Sequence, residues 1–126
     1  MAPLTTHVLV VDDEQRVREL IVRWLRSPEY RVQTTETAED ALVAMESDRP
    51  DLIIADKLLP LHSGLWLLKE VRHLGGALPV ILISGAEFTS EERRQFETLG
   101  NAVYLQKPFS RIELDSAIAR LLSPRS

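Results

Sequence analysis

Five short apolar segments recur along the chain and alternate with longer segments of a different pattern. The apolar segments are residues 7–11, 30–34, 52–55, 78–83 and 102–105. Four of them are aliphatic with almost no polar residue, which is typical of parallel strands covered on both faces. Segment 30–34 alternates polar and apolar residues, and we therefore place it nearer an edge of the sheet.

The intervening segments have helical periodicity, because their apolar residues recur at the i, i+3, i+4 and i+7 spacing of one buried helix face. The clearest stripes are Val17, Leu20, Ile21, Trp24 and Leu25 in the first helix, Ala38, Ala41, Leu42 and Met45 in the second, and Leu114, Ala117, Ile118 and Leu121 in the last.

Capping residues mark the starts of the last three helices. Ser110 with Glu113, and Thr89 with Glu92, have the spacing of a capping box. In this motif the side chain of each residue accepts a hydrogen bond from the backbone N–H of the other. Ser63 is placed to begin the third helix. The sequence therefore predicts five helices.

Five strands in strict alternation with five helices predict a doubly wound α/β fold with a five-stranded parallel sheet, a (βα)5 unit. A helical bundle is the structural alternative, and it fails because the apolar segments are too short and too rich in β-branched residues. We expect one domain over residues 1–126, with a core over about 6–122 and irregular ends at 1–6 and 123–126.

Composition narrows the classes of function. The net charge of −4 argues against direct contact with nucleic acid, whose phosphates need a basic surface. The chain has no cysteine, which excludes disulfides, thiolate catalysis and cysteine metal sites and fits a cytoplasmic protein. No signal pattern precedes His7, and no apolar segment approaches the ~18 residues that span a bilayer.

Polar side chains follow four of the predicted strands. Asp12 and Asp13 come after the first strand, Asp56 after the third, Ser84 after the fourth and Lys107 after the fifth. The carboxyl ends of parallel strands meet at one edge of a sheet, where ligands bind in open α/β folds. We therefore expect these five side chains to lie close together.

We call Asp12, Asp13 and Asp56 the acidic cluster. Two unit charges about 4 Å apart repel by about 4 kcal/mol at an effective dielectric constant of about 20, so the cluster needs a proton or a cation. Carboxylates without histidine or cysteine suit Mg²⁺. With Lys107 and Ser84 available to phosphate oxygens, the pattern indicates phosphoryl transfer to a carboxylate.

Each residue alone has an ordinary structural explanation. Asp12 and Asp13 are also suited to cap the first helix, and Asp56 to be an exposed loop acid. Ser84 before a glycine is typical of a turn, and Lys107 of a solvated side chain. The joint pattern at four strand ends is more specific than any of its members.

The residues of these strand ends resemble the receiver domain of two-component response regulators, from about Thr6 to Leu122. The matching features are the Val-Leu-Val-Val-Asp-Asp-Glu segment at 8–14, Asp56 with Pro60 and Gly64, Ser84, Tyr104, and Lys107-Pro108-Phe109. The resemblance implies a flavodoxin-like strand order of 2-1-3-4-5.

The resemblance also implies a phosphorylation site. Asp56 is then the acceptor of a phosphoryl group from a histidine kinase or a histidine phosphotransfer protein. Asp13 and Asp56 hold Mg²⁺ directly, Asp12 through a water molecule, and Leu58 through its backbone carbonyl.

A switch follows from the same resemblance. Ser84 and Lys107 move onto the phosphate oxygens, Tyr104 turns inward behind Ser84, and the Lys107–Pro108 bond is cis. The surface of the fourth helix, fifth strand and fifth helix then changes and selects an effector domain or a downstream protein. Family members often dimerise through this surface, so the resemblance allows a homodimer as one alternative for this chain.

The chain departs from the family pattern near the acceptor. Lys57 follows Asp56 directly and is expected to alter the local charge, and the apolar Leu58 cannot orient an attacking water. His62 is interpreted as a solvated loop residue, because it lacks partner ligands. The arginines of the first helix, Arg16, Arg18, Arg23 and Arg26, form either a solvated face or a docking surface for the kinase.

Two other functions are weighed against the phospho-accepting module. A Mg²⁺-dependent aspartyl-phosphate phosphatase usually has a second acid two residues after the acceptor, where this chain has Leu58. A non-phosphorylated protein-binding scaffold would not need all five key positions filled. The glycine-rich motifs of nucleotide-binding enzymes are absent. The chain is interpreted as either a stand-alone regulator or part of a larger regulator or hybrid kinase.

Overall fold

The computed structural model describes residues 5–123, in which five strands alternate with five helices as predicted. The elements are β1 (Thr6–Val11), α1 (Gln15–Trp24), β2 (Tyr30–Thr35), α2 (Ala38–Ser47), β3 (Leu52–Asp56), α3 (Gly64–His73), β4 (Val80–Ser84), α4 (Ser90–Leu99), β5 (Ala102–Gln106) and α5 (Arg111–Leu122). The predicted irregular ends fall largely on residues 1–4 and 124–126, which lie outside the described part of the chain, whereas Thr6 already belongs to β1.

All strand pairs are parallel, and the sheet order is β2-β1-β3-β4-β5, which confirms the predicted topology. Val11 pairs with Ala55, and Asp56 pairs with Ile83, so that β1, β3 and β4 end nearly level. This register brings the polar residues that follow the strands to one edge.

The sheet separates two apolar clusters, because successive side chains of a strand point to opposite faces. Leu9, Val11, Ile53 and Ala55 pack on the face covered by α2 and α3. Val8, Val10, Ile54 and Ile81 pack on the face covered by α1 and α5. β3 and β4 are therefore buried on both faces along their whole length, and β1 is buried from Val8 onward.

The two edge strands are less buried. β2 is an edge strand, as its alternating pattern predicted. β5 was predicted to be covered on both faces, but it forms the other edge and is only partly buried. The neighbouring α4 has no fully buried residue, which fits the partial burial of β5.

The helix caps follow the predicted residues. Ser110 and Thr89 each form a complete capping box, and the Ser63 hydroxyl accepts a hydrogen bond from the Trp66 N–H at 3.0 Å. The cap of α2 by Thr37 was not predicted.

The bounds of two strands, β3 and β4, differ from the prediction. β4 begins at Val80 rather than at residue 78, because Pro79 has no N–H to donate to a neighbouring strand. β3 and β4 each extend one residue further than predicted and end on Asp56 and Ser84.

No helix within residues 5–123 is long and apolar enough to cross a membrane.

Candidate functional site

The acidic cluster forms at the carboxyl ends of β1 and β3. One carboxylate oxygen from each of Asp12, Asp13 and Asp56 lies within 4.8 Å of the others. Asp12 is 0% and Asp56 5% exposed, whereas Asp13 is exposed to solvent. The structure thus brings Asp56 to the adjacent acids Asp12 and Asp13, from which the chain separates it by more than forty residues.

Asp12 does not cap α1 in the ordinary way. The N-cap of this helix is Glu14, which makes no side-chain capping bond. The Glu14 N–H instead donates to Asp12 Oδ1 at 2.9 Å and fixes that carboxylate at the edge of the sheet. The capping alternative therefore does not account for the pair of acids.

Lys107 is the counter-charge of the cluster. Its Nζ lies 2.7 Å from Asp56 Oδ2, 3.2 Å from Glu14 Oε1 and 3.5 Å from Asp12 Oδ2. Burial opposes the charge on Lys107, but the hydrogen bond to Asp56 and the charges of Asp12 and Asp56 outweigh it and raise the pKa of Lys107 above its ordinary value. The Lys107–Pro108 peptide bond is cis.

The environment of Asp12 fits a cation at the acidic cluster. Burial, with the charge of Asp56 adding to it, raises the pKa of Asp12 to about 6, although the Glu14 hydrogen bond opposes this shift. Asp12 Oδ2 is buried and has no hydrogen-bond partner. A buried carboxylate oxygen without a donor, beside two further carboxylates, matches the hard oxygen ligands that Mg²⁺ prefers.

Replacing Lys107 by methionine is expected to raise the affinity for Mg²⁺ by about tenfold, because one cation no longer competes with another for the same carboxylates. Without Mg²⁺ the variant is expected to lose about 2 kcal/mol of stability, since the Asp56 and Asp12 carboxylates keep their burial and lose their partner. Calorimetric Mg²⁺ titration and urea unfolding measure the two effects. A lower affinity for Mg²⁺ would contradict this account of the site.

The loop after β3 holds the Asp56 carboxylate in place. Its Oδ1 accepts a hydrogen bond from the Leu58 N–H at 2.8 Å, and the Gly64 N–H donates to the Lys57 carbonyl at 2.8 Å. A Cβ on Gly64 would lie 2.3 Å from the Asp56 carbonyl oxygen, so this position requires glycine. The Leu58 side chain is 62% exposed, and its carbonyl as a metal ligand stays a prediction.

Ser84 and Tyr104 lie on the other side of the site. Ser84 is fully buried, and its Oγ accepts a hydrogen bond from the Ala86 N–H at 3.0 Å. The Tyr104 hydroxyl donates to the Ala86 carbonyl at 2.7 Å and lies 3.4 Å from the Ser84 carbonyl. The Tyr104 ring is partly buried and packs on the core face covered by α2 and α3, an arrangement that we call inward, and its role as a switch stays a prediction.

Two basic residues have partners that the sequence did not reveal. Lys57 was expected to alter the charge beside the acceptor, but its Nζ is paired with Glu92 at 2.8 Å and buried. Arg18 was assigned to a solvated or docking face, but its side chain is 16% exposed and donates to the Asp12 carbonyl at 2.7 Å. Its position next to Val17, on the border of the buried stripe, was the available signal.

His62 is an exposed loop residue, as predicted, and it has two partners. Its ring stacks on Trp66 with 3.9 Å between the centroids, and its Nδ1 bonds the Glu39 carboxylate. Within residues 5–123, the acidic cluster is the one group of three or more potential ligands with the spacing of a metal site.

Known proteins with similar sequences and structures are bacterial signalling proteins. The family model of the response regulator receiver domain matches residues 8–119. Response regulator MprA of Mycolicibacterium vanbaalenii is 33% identical over 119 residues, which cover 94% of this chain and 51% of that protein. The same figures hold for MprA of Mycobacterium tuberculosis, so the chain spans about half the length of these relatives.

Solved structures agree with this match. Chemotaxis protein CheY4 of Vibrio cholerae superposes with a TM-score of 0.84 at 28% identity, covering 94% of this chain and 99% of that one. A response regulator described as putative, from Chloroflexus aurantiacus, gives 0.84 at 33% identity, covering 95% and 99%. The chain belongs to the response regulator receiver domain family, the signalling domain of two-component systems.

Proposed function

We propose that Asp56 accepts a phosphoryl group from a histidine kinase or a histidine phosphotransfer protein, with Mg²⁺ bound at the acidic cluster. The observation that carries this proposal is the surrounding of Asp56, a buried carboxylate with a lysine ammonium 2.7 Å away and two further carboxylates within ligand distance. A receiver domain of this kind is a signalling module, with no turnover of an external substrate.

In the proposed reaction an Asp56 oxygen bonds to phosphorus while the bond from phosphorus to the donor imidazole breaks. Asp13 and Asp56 would hold the metal directly, Asp12 through water, and Leu58 through its carbonyl. Mg²⁺ bound there would supply positive charge to offset the charge of the phosphoryl oxygens. Lys107, already hydrogen-bonded to Asp56 Oδ2, is positioned to transfer its hydrogen bond to one of those oxygens.

The proposed readout is the surface of α4, β5 and α5. Ser84 lies at the end of β4, and the Ala86 carbonyl two residues later accepts a hydrogen bond from Tyr104 in β5. A change at Ser84 is thereby linked to β5 and α4. An effector domain, a downstream protein or a second copy of the chain is the proposed partner of this surface.

The proposal is tested by titrating the protein with beryllofluoride, a phosphoryl mimic, in the presence and absence of Mg²⁺. Fluorescence of Trp66, in the first turn of α3 after the acceptor loop, is a suitable readout. We expect saturable binding that needs Mg²⁺ and is lost in Asp56→Asn. Asp115→Asn, an exposed acid on α5, is the control and is expected to bind as the wild type does.

The other outcomes identify the rival functions. Turnover of phosphate esters by the wild-type protein would support a phosphatase. No binding of beryllofluoride with Mg²⁺ present would support a protein-binding scaffold and overturn the proposal.

Leu58→Gln is expected to shorten the lifetime of the phosphoryl group on Asp56 about tenfold. An exposed apolar side chain beside the acceptor offers no hydrogen bond to an attacking water, whereas glutamine does. Loss of phosphate from the phosphorylated protein at neutral pH with Mg²⁺ gives the rate. Leu61→Gln is the matched control, since Leu61 is an 88% exposed residue of the same loop. A wild-type half-life of seconds would contradict the predicted slow hydrolysis.

A further inference from the structure

Lys57 occupies an unusual environment for a lysine. It is 5% exposed, and its Nζ donates to Glu92 Oε1 at 2.8 Å and to the Glu87 carbonyl at 3.2 Å. The same ammonium lies 5.0 Å from the centroid of the Phe88 ring. A buried lysine charge is stable only when it is paired and hydrogen-bonded, and these three groups meet that condition.

All partners of the Lys57 ammonium belong to the β4–α4 connection, residues 85–89, or to the first turn of α4. Glu92 Oε1 also accepts from the Thr89 N–H at 2.9 Å as part of the capping box of α4. The hydrogen bond from Lys57 is the main cause that holds the pKa of Glu92 below its ordinary value, so the Glu92 carboxylate is ionised at neutral pH. Lys57, which directly follows the acceptor Asp56, therefore connects the acceptor loop to the start of α4.

The β4–α4 connection in turn contacts Tyr104. The Phe88 ring lies 4.7 Å from the Tyr104 ring and 5.1 Å from the Phe96 ring. The Tyr104 hydroxyl donates to Ala86 in the same connection. α4 has no fully buried residue, so its position depends on contacts such as the Lys57–Glu92 ion pair, which lies in its first turn.

We propose that Lys57 is a positioning residue, whose ion pair with Glu92 holds the β4–α4 connection against the inward Tyr104 before any phosphoryl group is present. This inference depends on the proposed phosphorylation of Asp56. The pair stabilises the arrangement with Tyr104 inward, which is the arrangement proposed to accompany phosphorylation. By linkage, breaking the pair weakens the binding of a phosphoryl group or its mimic at Asp56.

Glu92→Gln separates this role from a direct effect of charge. Removing a negative charge near the site would tighten the binding of an anion if charge alone acted. The proposal expects the opposite, a roughly threefold to tenfold weaker affinity for beryllofluoride with Mg²⁺. Lys57→Met, which keeps an unbranched apolar side chain without the ammonium, is also expected to weaken binding. Adding Glu92→Gln to Lys57→Met is expected to change nothing further, because the pair is already broken.

Glu91→Gln is the matched control, because it breaks an exposed ion pair with Arg94 in the same turn of α4 and is expected to leave the affinity unchanged. Urea unfolding shows whether each variant is folded. If Lys57→Met does not fold, the affinity of Glu92→Gln alone tests the inference. Tighter or unchanged binding by Glu92→Gln, or equal effects of Glu92→Gln with and without Lys57, overturns the inference alone. Failure of the wild-type protein to bind overturns the proposed function and this inference together.

Discussion

Replacing Asp12 by asparagine is expected to stabilise the metal-free protein at pH 7 by roughly 2–3 kcal/mol. Burial raises the pKa of Asp12 to about 6, so the folded protein binds this proton more tightly than the unfolded chain does. Between about pH 4 and pH 6 the folded state therefore carries more protons, and the contribution of Asp12 to stability falls as the pH rises. Asparagine keeps an oxygen for the Glu14 N–H without the buried charge.

Urea unfolding of both proteins from pH 4 to pH 8 measures this difference, which we expect to be largest at neutral pH and to vanish near pH 4. Saturating Mg²⁺ is expected to reduce this difference in stability, because the cation stabilises the wild-type protein, which keeps the third carboxylate. Asp13→Asn, an exposed acid of the same cluster, is expected to change stability by less than about 0.5 kcal/mol. If Asp12→Asn were less stable than the wild type at pH 7, the buried Asp12 carboxylate would not be destabilising the folded protein, and the prediction would be contradicted.

Replacing Gly64 by alanine is expected to destabilise the protein by about 3 kcal/mol and to impair the acceptor at the same time. The added Cβ would lie 2.3 Å from the Asp56 carbonyl oxygen, 3.0 Å from its carbonyl carbon and 3.1 Å from Leu82 Cδ2. Two of these three atoms belong to the backbone of β3, so the end of the strand or the start of α3 must shift. Either shift displaces Asp56 from Lys107 and from the other two acids.

Urea unfolding and the affinity for Mg²⁺ measure the two consequences of this substitution. Gly85→Ala is the matched control, because a Cβ at Gly85 meets no atom within 4 Å, and its stability is expected to remain near that of the wild type. If Gly64→Ala kept wild-type stability and Mg²⁺ affinity, the close approach of α3 to the acceptor would have no structural importance.

Properties that depend on neighbouring residues were predictable from the sequence. The apolar segments before Asp12, Asp56 and Ser84 are long enough to identify strands, and parallel strands bring their carboxyl ends to one edge. The acidic cluster follows from those two facts. Capping boxes at Thr89 and Ser110 were found because both partners lie within one helical turn.

Properties that depend on distant partners were not predictable in the same way. Lys57 and Glu92 are 35 residues apart, and no local pattern distinguishes a buried lysine from a solvated one. Arg18 contacts the Asp12 carbonyl only because α1 packs against β1. The partial burial of β5 depends on its place at the edge and on the sparse cover by α4, whereas its residues are as apolar as those of the central strands.

The central claim, that Asp56 is the acceptor of a phosphoryl group, is tested most directly by incubating the protein with a small phosphoryl donor such as phosphoramidate. Mass spectrometry of the intact chain and of its peptides then locates the modification. We predict one added phosphoryl group, on the peptide that contains Asp56, formed only with Mg²⁺ and absent in Asp56→Asn. A phosphoryl group on any other residue, or none on the wild-type protein with Mg²⁺, would contradict the account.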